Sequence, residues 1–455
     1  MFKDKLSVLT SLVVMSGASY AETAEEREVR HLNKEVLLLQ DQLTDLLAKQ
    51  KKIKEAQPSY VIASQPPATV ESAPSIATSK PGWMTLSDGK TSLKLYGSFR
   101  IHSTYDFKGG NAGTTDIYNP TNKAPLNREH ATRGALNVSA ATSVVGLEIQ
   151  RKTDYGLLKG VFEGDFMGSA TRTNGNGAFR IRHAYASLGS WLVGQTTSPF
   201  ISYETTPSTV DANGPIGSNS NRAVQIRYTR DLAPHHKVLV ALEGGNVDGF
   251  TGEKSSNIMR GGRIPALTAK YDYTLPKDAG HLQFFGLLHE NRVSNNNHDD
   301  KETLGWGLGV GTRINLSKKD TLFFDYYHVK GSNKYILYVS PNPAYIVTQD
   351  ANGNFHIQDS KYDKVLLGYV HEWTPRWKTS LIAGALWYEH DTPYAHTLAS
   401  DTRSNKMAYN AIGNIFFTPV KNFNMGMEYT YGQRKTFSNL KGDYSRVNLS
   451  LRYNF

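Results

Sequence analysis

The chain has 455 residues, 39% of them hydrophobic and 20% charged, with a formal charge of +10 and no cysteine. The lack of thiols excludes a disulfide scaffold, a thiolate zinc site and a cysteine nucleophile. Beyond the N-terminus no run reaches the roughly 18–20 apolar residues of a spanning helix, which excludes a helical membrane protein, while 25 Tyr, 18 Phe and 39 Gly suit many strands and turns.

The charge is unevenly placed. Residues 1–82 carry 10 Lys+Arg and 10 Asp+Glu, so the whole excess lies in 83–455, where 41 cations face 31 acids. Such a body favours anionic partners. Its Lys and Arg are scattered rather than clustered, which argues against nucleic acid.

In chain order, Lys3 and Lys5 precede the apolar run 6–17, and Ser19-Tyr20-Ala21 closes it. This pattern predicts a secretory signal cut after Ala21. Val29, Leu32, Val36, Leu39, Leu43, Leu46, Gln50 and Ile53 then recur alternately three and four apart. That 3.5-residue seam in a polar segment predicts a self-associating coiled coil over 22–56. Val at a with Leu at d leans towards a dimer, but Leu43 and Gln50 at later a positions blur the preference. Residues 57–82 hold Pro58, Pro66, Pro67, Pro74 and Pro81 among Ser, Thr and Ala. They read as an extended linker reaching at most roughly 80 Å.

From Leu93 the period changes to two. Val447, Leu449, Leu451, Tyr453 and Phe455 alternate with Arg446, Asn448, Ser450, Arg452 and Asn454. Sixteen such segments are counted between 92 and 455, each with one apolar and one polar face. Their connections alternate in length. Thr153–Gly156, Ser190, Ala233–His236, Pro276–Ala279 and Val420–Asn422 are short, whereas 108–133, 198–222, 247–263 and 332–362 are long and polar. Short turns on one rim and long loops on the other describe a transmembrane β-barrel of about 16 antiparallel strands over 83–455. Lipid cannot satisfy backbone N–H and C=O groups, so the strands must close on themselves. An even count puts both ends on the short-turn, periplasmic side. Trp191, Trp373, Trp377, Phe423 and Phe455 sit near short turns, where an interfacial aromatic girdle is expected.

The end Leu449-Ser450-Leu451-Arg452-Tyr453-Asn454-Phe455 looks like a barrel-assembly signal. With Arg182-His183-Ala184-Tyr185-Ala186-Ser187-Leu188-Gly189 leading into Val193-Gly194-Gln195-Thr196-Thr197-Ser198-Pro199-Phe200, the chain resembles Gram-negative outer-membrane porins, and specifically the DcaP-like dicarboxylate porin family. The resemblance covers signal, coiled coil, linker and barrel. It implies a homotrimer, against the dimer lean of Val29 and Val36, and passive uptake of small anionic, often dicarboxylic, solutes.

A barrel of this size encloses water rather than a packed core, and its selectivity follows from width and lining charge. Alternation places Arg100, Arg180, Arg182, Arg227, Arg446 and Arg452 on the lumen face, with Tyr96 on the same wall. Guanidinium groups hold carboxylates through paired hydrogen bonds, so two Arg across a lumen would suit a dicarboxylate. Glu148, Glu163, Asp165 and Glu428 are the lumen acids that would compete for them. By the resemblance, the segment 198–222 folds inward as a constriction, bringing Pro199, Glu204, Asp211 and Arg222 to the pore. No Gly-x-Ser-x-Gly or His-Glu-x-x-His is present, no cofactor or metal constellation is found, and an outer-membrane enzyme is disfavoured. A sugar or general porin, and a cell-wall or periplasmic tether built on the coiled coil, remain as alternatives.

Overall fold

The computed structural model describes residues 82–111, 124–126, 131–132, 134–173, 176–244, 258–295, 300–339 and 341–455. The expected signal segment 1–21, coiled coil 22–56 and all of the linker but Gly82 lie outside the described residues.

Sixteen antiparallel strands form one closed sheet. They are β1 (Thr91–Lys108), β2 (Ala135–Ser139 and Val144–Thr153), β3 (Gly156–Thr173), β4 (Asn176–Leu188), β5 (Trp191–Thr197), β6 (Arg222–Ala233), β7 (His236–Glu243) and β8 (Ile258–Arg260 and Ala266–Leu275). The second half is β9 (Gly280–Asn295), β10 (Asp300–Asn315), β11 (Asp320–Lys330), β12 (Lys361–Thr374), β13 (Trp377–Tyr388), β14 (Asn405–Val420), β15 (Phe423–Thr436) and β16 (Lys441–Asn454). Each pairs with its sequence neighbours, and β16 closes on β1, with Ser98 opposite Asn454 and Tyr105 opposite Val447. The terminal Phe455 completes the seam. Its N–H donates to the Gly97 carbonyl and the Gly97 N–H donates back, both at 3.1 Å. Its ring lies 5.0 Å from that of Phe99.

The period-two pattern explains the outer surface. Leu95, Phe99, Ile101, Val224, Ile226, Leu304, Leu308, Leu381 and Leu449 are all exposed; in a bilayer these side chains face lipid. Trp191, Trp373, Trp377 and Phe455 are exposed beside the short turns. Trp377 stacks on Phe417 at 4.2 Å and Trp191 leans on Tyr228 at 4.8 Å. The tight turns at that rim use positive φ, as at His235 and Asn422.

The interior departs from the expected polar lumen. On the β9–β14 side, Phe285, Leu287, Tyr327, Val329, Tyr362, Leu386 and Tyr388 are buried with Phe200, Ile201 and Ile216 from the segment 198–221 and Tyr335 and Ile336 from the segment 331–360. Phe200 meets Tyr327 and Tyr335 edge-on at 5.3 and 5.4 Å. The two segments are stitched together by the Ser220 N–H to the Tyr335 carbonyl and the Leu337 N–H to the Ser218 carbonyl. On this side the lumen wall is therefore covered by packed loop rather than by water. The 331–360 segment also carries its own hairpin, Tyr345–Gln349 with Phe355–Asp359, where a plain loop was expected. Phe285, Tyr327, Tyr362 and Tyr388 face inward here, where loop side chains cover them.

Candidate functional site

The segment 198–221 leaves the end of β5 and lies along the inner wall. What makes room for it is glycine. In β10, Gly305-Trp306-Gly307-Leu308-Gly309-Val310-Gly311 sends apolar side chains outward and none inward. A Cβ on Gly307 would sit 2.6 Å from the Phe200 ring, and one on Gly311 2.7 Å from Thr205 Oγ1. The same holds at Gly368 against Pro207 and at Gly426 against Val210, both 2.7 Å, and at Gly384 against the Ile216 carbonyl. Wall side chains then fix the segment. The Ile216 N–H donates to Asn410 Oδ1 at 3.0 Å, Asn414 Nδ2 donates to the Ser208 carbonyl at 3.1 Å, and Gln283 Nε2 donates to Glu204 Oε2 at 2.6 Å. Lys270 Nζ also stands 3.7 Å from Glu204.

The space left open is a cavity between this segment and the opposite wall. Its charged lining comprises Arg100, Arg180, Arg182, Arg222, Lys378 and Arg452 against Glu163, Asp165 and Asp211. Six cations thus face three carboxylates, and the site is net positive before any solute enters.

Local backbone irregularities aim these groups. Between the two parts of β2 the ladder to β1 is interrupted at residues 140–143. Ser143 Oγ fills the gap, accepting the Arg100 N–H at 3.0 Å and donating to the Arg100 carbonyl at 3.3 Å. The Arg100 guanidinium then reaches the Val210 carbonyl of the inward segment and Ser450 Oγ. Between β3 and β4 the register slips, so that Glu163 pairs with His183 and Gly164 with Ile181. Arg182 is the extra residue of this bulge, which re-aims side chains. As a result Arg180, Arg182 and His183 all line the cavity, where strict alternation would have turned one of them outward.

The cations differ in their commitments. Arg180 is tied to Asp165 by two hydrogen bonds, Nε to Oδ1 at 2.9 Å and an Nη to Oδ2 at 2.7 Å. Arg182 is shared between Glu163 at 2.6 Å and Asp165 at 3.0 Å. Arg222, Lys378 and Arg452 have no carboxylate within ion-pairing distance among the described residues. Arg222 Nε is buried without a hydrogen-bond partner, and Lys378 Nζ lies over the Phe416 ring at 5.2 Å.

The other sequence candidates fall elsewhere. Arg446 is on the inner face as alternation requires, but it is only 2% exposed and closes on Asp106 with contacts of 2.5 and 3.0 Å. It is a wall strut and does not line the cavity, a correction to its expected pore-lining place. Arg227 lies on β6 nearer the short-turn rim, opposite Leu192 and Ala241, and outside this lining. Tyr96 donates to Glu163 Oε2 at 3.1 Å and lines a vestibule with Lys94, Glu148 and Lys159. Asp211 lines the cavity, Glu204 is held against the β8–β9 wall instead, Pro199 is buried at the start of the segment, and Arg222 begins β6. Lys378, Glu428, Asn410 and Asn414 were not singled out as site residues. The inward glycine row of β10 was a readable signal of a close-lying segment.

A model of the DcaP outer membrane protein family matches residues 15–455. Among solved structures, the crystal structure of the outer membrane channel DcaP of Acinetobacter baumannii is 30% identical, with a TM-score of 0.71 over 82% of this chain and 99% of that one. An anion-selective porin from Comamonas acidovorans shares the fold at 12% identity and a TM-score of 0.52, over 80% of this chain and 100% of that one. No curated protein sequence matches significantly.

Proposed function

The chain belongs to the DcaP outer membrane protein family and is an outer-membrane porin, a channel and not an enzyme, and from that premise we propose that it passes small anionic solutes, dicarboxylates among them. The observation that carries this reading is the cavity lining of six cations against three carboxylates. Where low-dielectric walls flank a lumen, such an excess raises the local anion concentration and repels cations.

The contacts divide in two. Arg222, Lys378 and Arg452 are available to the solute, and guanidinium groups grip carboxylates in pairs. Arg180 and Arg182 set the field but share it with Asp165 and Glu163. Arg100 holds the inward segment, which acts as the constriction. Arg227 and Tyr96 sit nearer the short-turn rim, on the exit side. In this reading the mature chain starts at Glu22, and residues 22–56 form a periplasmic coiled coil joined by the linker to a trimeric barrel.

Planar-bilayer recordings of the refolded protein in a salt gradient test the proposal. The expected reversal potential shows anion preference, and a titrated dicarboxylate blocks the current. Cation preference would overturn the reading. Anion preference without block would leave a general anion pore.

A further inference from the structure

Glu428 is a carboxylate that the passage of solute does not use. It projects inward from β15 and is 1% exposed. No Lys or Arg lies within ion-pairing distance of it among the described residues. Burying an ionised carboxylate is costly unless hydrogen bonds replace its water, and four neutral donors do so here. Oε2 accepts the Val210 N–H at 2.7 Å and Asn414 Nδ2 at 3.3 Å. Oε1 accepts the Asp211 N–H at 3.1 Å and Asn448 Nδ2 at 3.0 Å.

Two of those donors are backbone groups at the tip of the inward segment. Val210 is held from both ends of its own residue: its N–H by Glu428 on β15, and its carbonyl by Arg100 on β1. Beneath it Gly426 leaves room for the Val210 side chain, which a Cβ there would meet at 2.7 Å. Just beyond the tip, Asp211, Ala212, Asn213 and Gly214 form one side of the cavity, facing Arg100, Lys378 and Arg452 among others. The position of the tip therefore fixes the open cross-section.

We infer that Glu428 is the latch that holds the tip of segment 198–221 to the wall and so sets the aperture of the channel. It is a positioning residue and never meets solute. The inference rests on the chain being a channel and does not depend on its preferring anions. Step size reads the latch, whereas reversal potential reads the preference.

The test uses Glu428→Ala, Glu428→Gln and a cysteine pair, Val210→Cys with Gly426→Cys. The chain has no other cysteine. A Gly426 Cβ would lie 2.7 Å from Val210 Cγ2 and 2.9 Å from the Phe416 ring, so the two positions are close enough to bridge once that ring shifts slightly. In correctly folded channels, Glu428→Ala is expected to raise single-channel conductance roughly two-fold, with added current noise, and Glu428→Gln by less. Oxidising the cysteine pair in the Glu428→Ala background is expected to restore the original step, and reduction to undo it. Unchanged steps in both Glu428 variants would overturn the inference, as would a cysteine pair that fails to restore the step when oxidised. Should Glu428→Ala not fold, the pair in the parent chain decides: oxidation is expected to leave the step as it was, and an altered step would mean that the latched tip is not the conducting arrangement.

Discussion

The two walls of this lumen solve opposite problems. The β1–β6 wall faces water and carries Arg100, Arg180, Arg182 and Arg222 with Glu163 and Asp165. The β9–β14 wall faces loop, and carries glycine, Phe285, Tyr327, Tyr362 and Tyr388. On the wet wall charges are cheap and set selectivity. On the dry wall a fully buried ion pair depends on both partners: Lys364 and Asp325 are 0% and 1% exposed, 2.5 Å apart, with the ammonium over the Tyr327 ring at 4.2 Å. A barrel of one sheet can thus be a pore on one side and a globular core on the other.

The sharpest way to break this contrast is to cut that pair. Lys364→Ala leaves Asp325 buried without its cation, a change that costs about 3–5 kcal/mol in comparable settings. The expected result is a large loss of resistance to urea, seen as unfolding of the barrel at lower denaturant, with partial recovery in Lys364→Met combined with Asp325→Leu. If Lys364→Ala unfolded like the parent, the inner side of β9–β14 would be wetter than described.

A smaller effect separates the cations that line the cavity. Neutralising Arg222, Lys378 and Arg452 together leaves three cations against three carboxylates and is expected to abolish anion preference in the reversal potential. Arg180→Ala with Arg182→Ala leaves four against three and is expected to weaken it less, because the pair is already compensated by Asp165 and Glu163. A larger loss from the second variant than from the first would reverse the division of roles.

The period-two pattern made the strand count, the short-turn rim and the lipid face legible, because a membrane imposes that period on every strand. Alternation put Arg100, Arg180 and Arg182 on the inner face, and these residues lie along the cavity. It could not show that Arg446 is spent on Asp106, since that partner lies 340 residues away across the closing seam. Nor could it find Arg182 as a bulge residue, or the apolar inner face of β9–β14. An inward Phe285 and an outward Phe284 look alike in sequence, and what separates them is a loop folded back from residues 198–221.

The smallest expected effect lies at the edge of the wet wall. Lys159 Nζ is 2.7 Å from Glu148 Oε1, with side chains 30% and 16% exposed. Both groups stand in a vestibule open to water, where a pair of this kind contributes about 0–1 kcal/mol, and salt screens it over a Debye length of about 8 Å at 0.15 M. Glu148 also keeps the Gln150 amide at 2.6 Å when the lysine is gone. Lys159→Ala is therefore expected to leave urea resistance unchanged within error and to lower anion preference only slightly, and only at low salt. The same lysine-to-alanine change thus costs several kcal/mol at 364 and next to nothing at 159, because water can replace the lost partner on one wall and cannot reach it on the other.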